Sequence, residues 1–273
     1  MFLEMLRIFI IILVILGNHA FIIQAFAEDS EEIDGRILPV EPQLCHEMKV
    51  HGVLTGRGPL TCERLRLVNF SYIDFDGKVK IDGRVAVLDA ISQQVLELFS
   101  ELKRGQFQIA KARLMDAYNG DDDASMDDNN TSAFNDRNIA GSDRISLHAY
   151  GAAIDINPRQ NPYIKWGGEA AMVKPVRSGD YVQRSPRFPG MAEPAVPIFA
   201  RHGFVIWGGA WSNPKDYQHF QLDRGIAEKL VELPAKQARE YFNEYVSACR
   251  NCLDNKPGIS GPDLASCAVN REN

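Results

Sequence analysis

Apolar positions change their spacing several times along the chain, and each spacing asks for a different element. Leu67 to Phe75 and Lys78 to Ile81 flank Asp76-Gly77, a dipeptide that favours a tight turn, so the stretch reads as a hairpin. Leu88, Ile91, Val95, Leu98 and Leu102 then recur at steps of three and four, one face of an amphipathic helix. Gly105 stands where that helix should end. Phe107 to Tyr118 reads as a strand, as do Ala152 to Asn157, Phe204 to Trp207 and His219 to Leu222. The last two lie around a Gly-Gly turn. Ile226 to Val246 reads as a helix or a pair broken at Pro234.

Polar and irregular stretches separate these elements. Residues 28 to about 66 show scattered Pro and Gly with little periodicity and read as an irregular extension. Asn119 to Asn130 is crowded with Asp and Asn; it lacks the acidic spacing and turn glycine of an EF-hand, so it reads as a solvated loop. Gly167 to Pro197 is rich in Pro and Gly and reads as a long surface excursion. No internal repeat is seen. Segregated strands and helices point to an α+β domain.

The first residues change the picture of where this domain works. Ile8 to Leu16 is an almost continuous apolar run after Arg7, and Ala25-Phe26-Ala27 has the small-x-small form of a leader cleavage site. Glu4 offsets Arg7, so the basic end is weak. The alternative, an uncleaved anchor, is disfavoured by Asn18, His19 and Gln24 inside the stretch. Either way the folded part lies outside the cytoplasm. All five cysteines, Cys45, Cys62, Cys249, Cys252 and Cys267, follow the leader, and an oxidising compartment invites disulfides among them. The expected bridge is Cys45–Cys62, or one from either to the C-terminal trio. Cys249-x-x-Cys252 lacks the context of a redox or zinc motif. A net charge of −6 gives no basic stripe for nucleic acid.

With six histidines, each can be weighed. His19 falls in the leader, His46 and His51 in the extension, and His202 before a glycine in a helix-end turn. His148 enters a turn that leads to an apolar strand carrying Asp155, and a carboxylate there must be paired or bound to a metal. Asp216 and His219 stand three apart, so the chain must bend between them if both serve one site. Two imidazoles and a carboxylate suit zinc with a fourth position open to water, and a second carboxylate can take that water's proton. The bland alternative is two core histidines and two turn-capping aspartates.

These residues lie in longer motifs: Ser146-Leu-His148-Ala-Tyr-Gly151-Ala-Ala153-Ile-Asp155 and Asp216-Tyr-Gln-His219. Asn129 to Arg137, Asp155 to Pro158, Asn161-Pro-Tyr163 and Trp207-Gly-Gly-Ala-Trp211 accompany them. Together they resemble the zinc D-alanyl-D-alanine carboxypeptidases and L-alanyl-D-glutamate endopeptidases, the VanY-like peptidoglycan peptidases, from about Val68 to Leu222. The resemblance implies a small antiparallel sheet with flanking helices, as in the hedgehog signalling domain. It implies one Zn2+ on His148, Asp155 and His219, Asp216 as catalytic carboxylate, and Arg137 as the group that polarises the scissile carbonyl. Ser146, Tyr150 and Trp207 become substrate contacts, and the partner is a peptidoglycan peptide. Asp136 and Ala210 depart from the family's usual Cys and acidic residue.

The resulting organisation is a leader at 1–27, an extension at 28–66, a peptidase domain at 67–246 and a Cys-containing tail at 247–273. The expected activity is hydrolysis of stem peptides, with the bond left open. The rivals are a non-catalytic zinc-containing peptidoglycan-binding module and an envelope protein with a closed zinc site, for which His202 or His51 would be the fourth ligand.

Overall fold

The computed structural model describes residues 35–167, 170–256 and 261–267. The leader and its cleavage site lie outside the described residues. Helices accompany three small antiparallel sheets, an α+β fold. No helix among the described residues is long and apolar enough to cross a membrane.

The hairpin forms as its sequence asks. Strands β2 (Leu65–Ile73) and β3 (Val79–Leu88) pair antiparallel around Gly77, which takes a φ of 75°. Asp74 Oδ1 accepts from Asp76 N and Lys78 N and shapes the turn. Helix α2 (Ser92–Arg104) lays Val95, Leu98, Phe99 and Leu102 on this sheet, and Phe99 stacks on Phe70 at 3.7 Å between centroids. Burying each such side chain contributes roughly 1.5–3 kcal/mol. Leu88 belongs to the end of β3, and a short 3-10 turn at Asp89–Ile91 precedes the helix.

The stretch read as irregular is not so. Within it β1 (Gly35–Pro39) pairs with β2, and helix α1 (Pro42–Val50) follows. Cys45 of α1 is joined to Cys62. Each element is too short for a periodic signal. Arg64 fastens this end of the chain: it forks onto Asp89 and donates to the carbonyls of Leu230, Val231 and Leu233. Those carbonyls end α5 (Arg224–Glu232).

Phe107 to Tyr118 is also not a strand. It makes isolated bridges at Gln108 and Ala112 and ends in a 3-10 turn, Met115–Tyr118. Its apolar residues face the core without a continuous partner. The polar loop contains helix α3 (Asp122–Asp127), capped by Asp121 Oδ1 accepting from Ala124 N. The excursion includes β6 (Met172–Lys174), which pairs with β5 (Tyr163–Lys165). Further on, the excursion is pinned from below: Asn157 and Asn161 both donate to Gly190 O, and Asn161 Oδ1 accepts from Ala192 N.

The C-terminal part packs against the core. Helix α4 (Val196–Arg201) leads to β7 (Ile206–Trp207), and Pro234 separates α5 from α6 (Ala235–Asn255). Helix α6 buries Phe242, Tyr245 and Val246 and runs beyond residue 246. Cys252 at its end is bridged to Cys267, and Cys249, buried, takes part in neither disulfide.

Candidate active site

The two small central sheets bring the motif residues together. Strand β9 (His219–Gln221) lies between β4 (Ala153–Asp155) and β7. Strand β8 (Lys215–Asp216) belongs to the neighbouring sheet, beside β5. The chain therefore bends between Asp216 and His219, as two residues three apart must if they are to face one place.

His148 sits on a 3-10 turn, Leu147–Tyr150, whose ends explain the motif around it. Ser146 Oγ accepts from His148 N at 3.3 Å and caps the turn. Gly151 closes it with φ of 59°, and a Cβ there would stand 2.5 Å from Leu88 N. Both conformation and space demand glycine. Gly208 has the same kind of reason: a Cβ would meet Asp216 O at 2.5 Å, so this glycine lets the turn after β7 lie against β8.

The side chains of His148, Asp155 and His219 converge, all buried. His148 Nε2 is 3.2 Å from His219 Nδ1 and 3.2 Å from Asp155 Oδ2, and His219 Nδ1 is 2.9 Å from Asp155 Oδ1. Ligands bound at 2.0–2.1 Å in a tetrahedron stand about 3.3 Å apart, close to these spacings. The outer ring nitrogens have acceptors: His148 Nδ1 at Ala133 O, and His219 Nε2 at Gln221 Oε1, 2.8 Å away. The inner nitrogens are thus turned toward the carboxylate. The cluster could hold a metal ion, and among the described residues no further His, Cys, Asp or Glu joins it. His202 is held by Gln94 and Glu101, and His51 faces Asp116, so neither completes a four-ligand site.

Electrostatics set these groups apart. Burial disfavours the charged form of Asp155, but the two imidazoles outweigh it and hold the carboxyl well below its usual range. Burial would lower His219, yet Asp155 raises it to about 9. Asp216 moves the other way, to about 6, through burial and then the charge of Asp155. Its Oδ1 is buried with no hydrogen-bond partner among the described residues.

Arg137 donates from Nη2 to Asp122 Oδ2 at 2.8 Å, and its Nε is buried with no hydrogen-bond partner among the described residues. Asp122 also helps raise Asp216, so this ion pair borders the same region. Tyr150 lies beneath the Arg224 guanidinium, 5.6 Å from centroid to carbon. Trp207 stacks on Phe220 and donates from Nε1 to Tyr217 O at 2.9 Å. Trp211 is the ring set beside His219, with centroids 5.5 Å apart.

Two residues of this neighbourhood escape the sequence reading, and a third, Asp136, has a role there that the sequence did not show. Gln221 lies two after His219 on a strand, a period-two signal that could have found it. Asp122 is one of several acids in a polar run, and nothing local distinguishes it. Asp136 is buried beside Arg137, and its carboxylate accepts from the backbone N–H groups of Thr55, Gly56, Arg57 and Gly58.

Residues 140–222, the segment holding all three convergent side chains and Asp216, match the model of a D-alanyl-D-alanine carboxypeptidase family. Comparison with curated proteins and with solved structures found no match.

Proposed function

We propose that the chain is an exported zinc metallopeptidase that hydrolyses a peptide bond in peptidoglycan stem peptides. The observation that carries this is the meeting of His148 Nε2, Asp155 and His219 Nδ1 within 4.8 Å, in a segment that matches a peptidase family. Two nitrogens and one carboxylate suit zinc better than calcium or magnesium, which prefer oxygen. A zinc ion held there supplies Lewis acidity and brings water near neutrality in its acidity.

The chain's own groups supply the rest. Asp216 accepts the proton of the attacking water and passes one to the leaving amine. A second carboxylate close to the attacking water can take its proton, and burial together with the charge of Asp155 favours the protonated form of Asp216 once it has done so. Arg137 offers a fixed positive charge to the carbonyl oxygen as it gains charge, with Asp122 steadying the guanidinium. Ser146, Tyr150 and Trp207 contact the peptide. The two disulfides accord with an oxidising compartment, and so with export.

Digestion of purified muropeptides by the zinc-loaded protein, read by product mass, tests the reading. Loss of a terminal alanine identifies a carboxypeptidase; cleavage between L-alanine and D-glutamate identifies an endopeptidase. Binding of muropeptides without cleavage would overturn the enzyme reading in favour of a binding module.

A further inference from the structure

We infer that Gln221 is a positioning residue for His219: its amide oxygen holds the ring proton on Nε2 and keeps the Nδ1 lone pair turned into the cluster with His148 and Asp155. The inference rests on that cluster being a metal site. A neutral imidazole carries one ring proton, and the acceptor it meets decides which nitrogen keeps it. His219 Nε2 and Gln221 Oε1 are 2.8 Å apart, while Nδ1 faces Asp155 Oδ1 at 2.9 Å. With the proton on Nδ1 instead, the ring would donate to Asp155 and offer no lone pair inward.

The two histidines differ in how this choice is made. For His148 the outer acceptor is the main-chain carbonyl of Ala133, which no substitution at that position removes. For His219 it is a side chain. Gln221 is two residues away on the same strand, so both side chains leave the same face. Strand β9 has a neighbour on each side, and Gln221 itself is paired with both Ala153 and Ile206. The backbone therefore has little freedom to carry either side chain away. An amide, however, can present its NH2 face as well as its oxygen. A carboxylate here would only accept, and would also raise the ring's basicity as a ligand.

The test measures zinc affinity of the full mature chain by competition with a chromophoric chelator, for the unmodified protein, Gln221→Glu and Gln221→Met. The methionine variant should bind zinc about 10–100-fold more weakly, and the glutamate variant as tightly as the unmodified protein or more so. Thermal melts of the metal-free forms check that each is folded. Equal affinity of Gln221→Met and the unmodified protein would overturn the inference, as would equal weakening by both substitutions. Should the methionine variant not fold, ring 15N shifts of His219 in the zinc-loaded unmodified protein decide. A protonated Nε2 supports the inference, and zinc on Nε2 defeats it. No zinc binding by the unmodified protein would instead overturn the metal site, and this inference with it.

Discussion

Asp155 and His219 are directly opposed in the β4–β9 ladder, and their side chains meet at 2.9 Å between Oδ1 and Nδ1. Backbone register thus sets this pair. A slip of one residue would turn either side chain to the other face of the sheet and dissolve the cluster.

In metal-free protein this pair should make stability fall with rising pH. His219 is raised to about 9, from an ordinary value near 6.5, so its contribution is full below about pH 6.5 and is lost as pH rises through about 9. Melting temperatures in chelator should decline across that window. His219→Gln should flatten the decline; an unchanged slope would show that other groups cause it.

Asp216→Asn should retain the metal yet slow muropeptide cleavage by roughly 10²–10⁴-fold, the usual worth of a positioned acid–base group. It should not lower stability, because it removes a buried charge that Asp155 repels. Arg137→Ala should also keep the metal and cost about 10²–10³-fold in turnover. Metal analysis beside kinetics checks both, and loss of zinc from Asp216→Asn would mean that the ligands are misassigned.

Asp136→Ala should destabilise the fold by on the order of 3–5 kcal/mol, because four backbone donors and the Thr55 hydroxyl lose one buried acceptor. Urea unfolding measures the loss. Hydrogen exchange should quicken first at residues 55–58, and unchanged protection there would contradict the anchoring role.

Removing either disulfide should cost about 3 kcal/mol in the chain-entropy model, since the bridges span 17 and 15 residues. Denaturant midpoints of Cys45→Ser/Cys62→Ser and Cys252→Ser/Cys267→Ser measure it. Non-reducing peptide maps should recover these two pairs; a bridge through Cys249 would contradict the pairing.

Native protein should begin at Glu28 by mass spectrometry, following the Ala25-Phe26-Ala27 pattern. An intact Met1 on a membrane-bound product would favour the anchor.

The hairpin at Asp76-Gly77, the apolar stripe of α2 and the turn that His148 enters were legible because their causes are local, although the Ser146 cap of that turn is seen only in the structure. A turn dipeptide and a 3.6-residue repeat each act within a few positions. Phe107 to Tyr118 misled for the same reason: its apolar residues are buried, but a strand exists only where a partner runs beside it. β1 shows the converse, a short segment whose strand is made by β2.

The sequence by itself determined which groups are present: two histidines and two aspartates in spaced motifs, and five cysteines able to pair. The motif resemblance already implied that His148, Asp155 and His219 share one site. Only the tertiary structure decided that Asp155 and His219 are cross-strand partners meeting at 2.9 Å, that Cys252 joins Cys267, and that Gln221 and Ala133 stand behind the two rings. Such contacts depend on register and chain closure between distant segments, and no local pattern of residues encodes those.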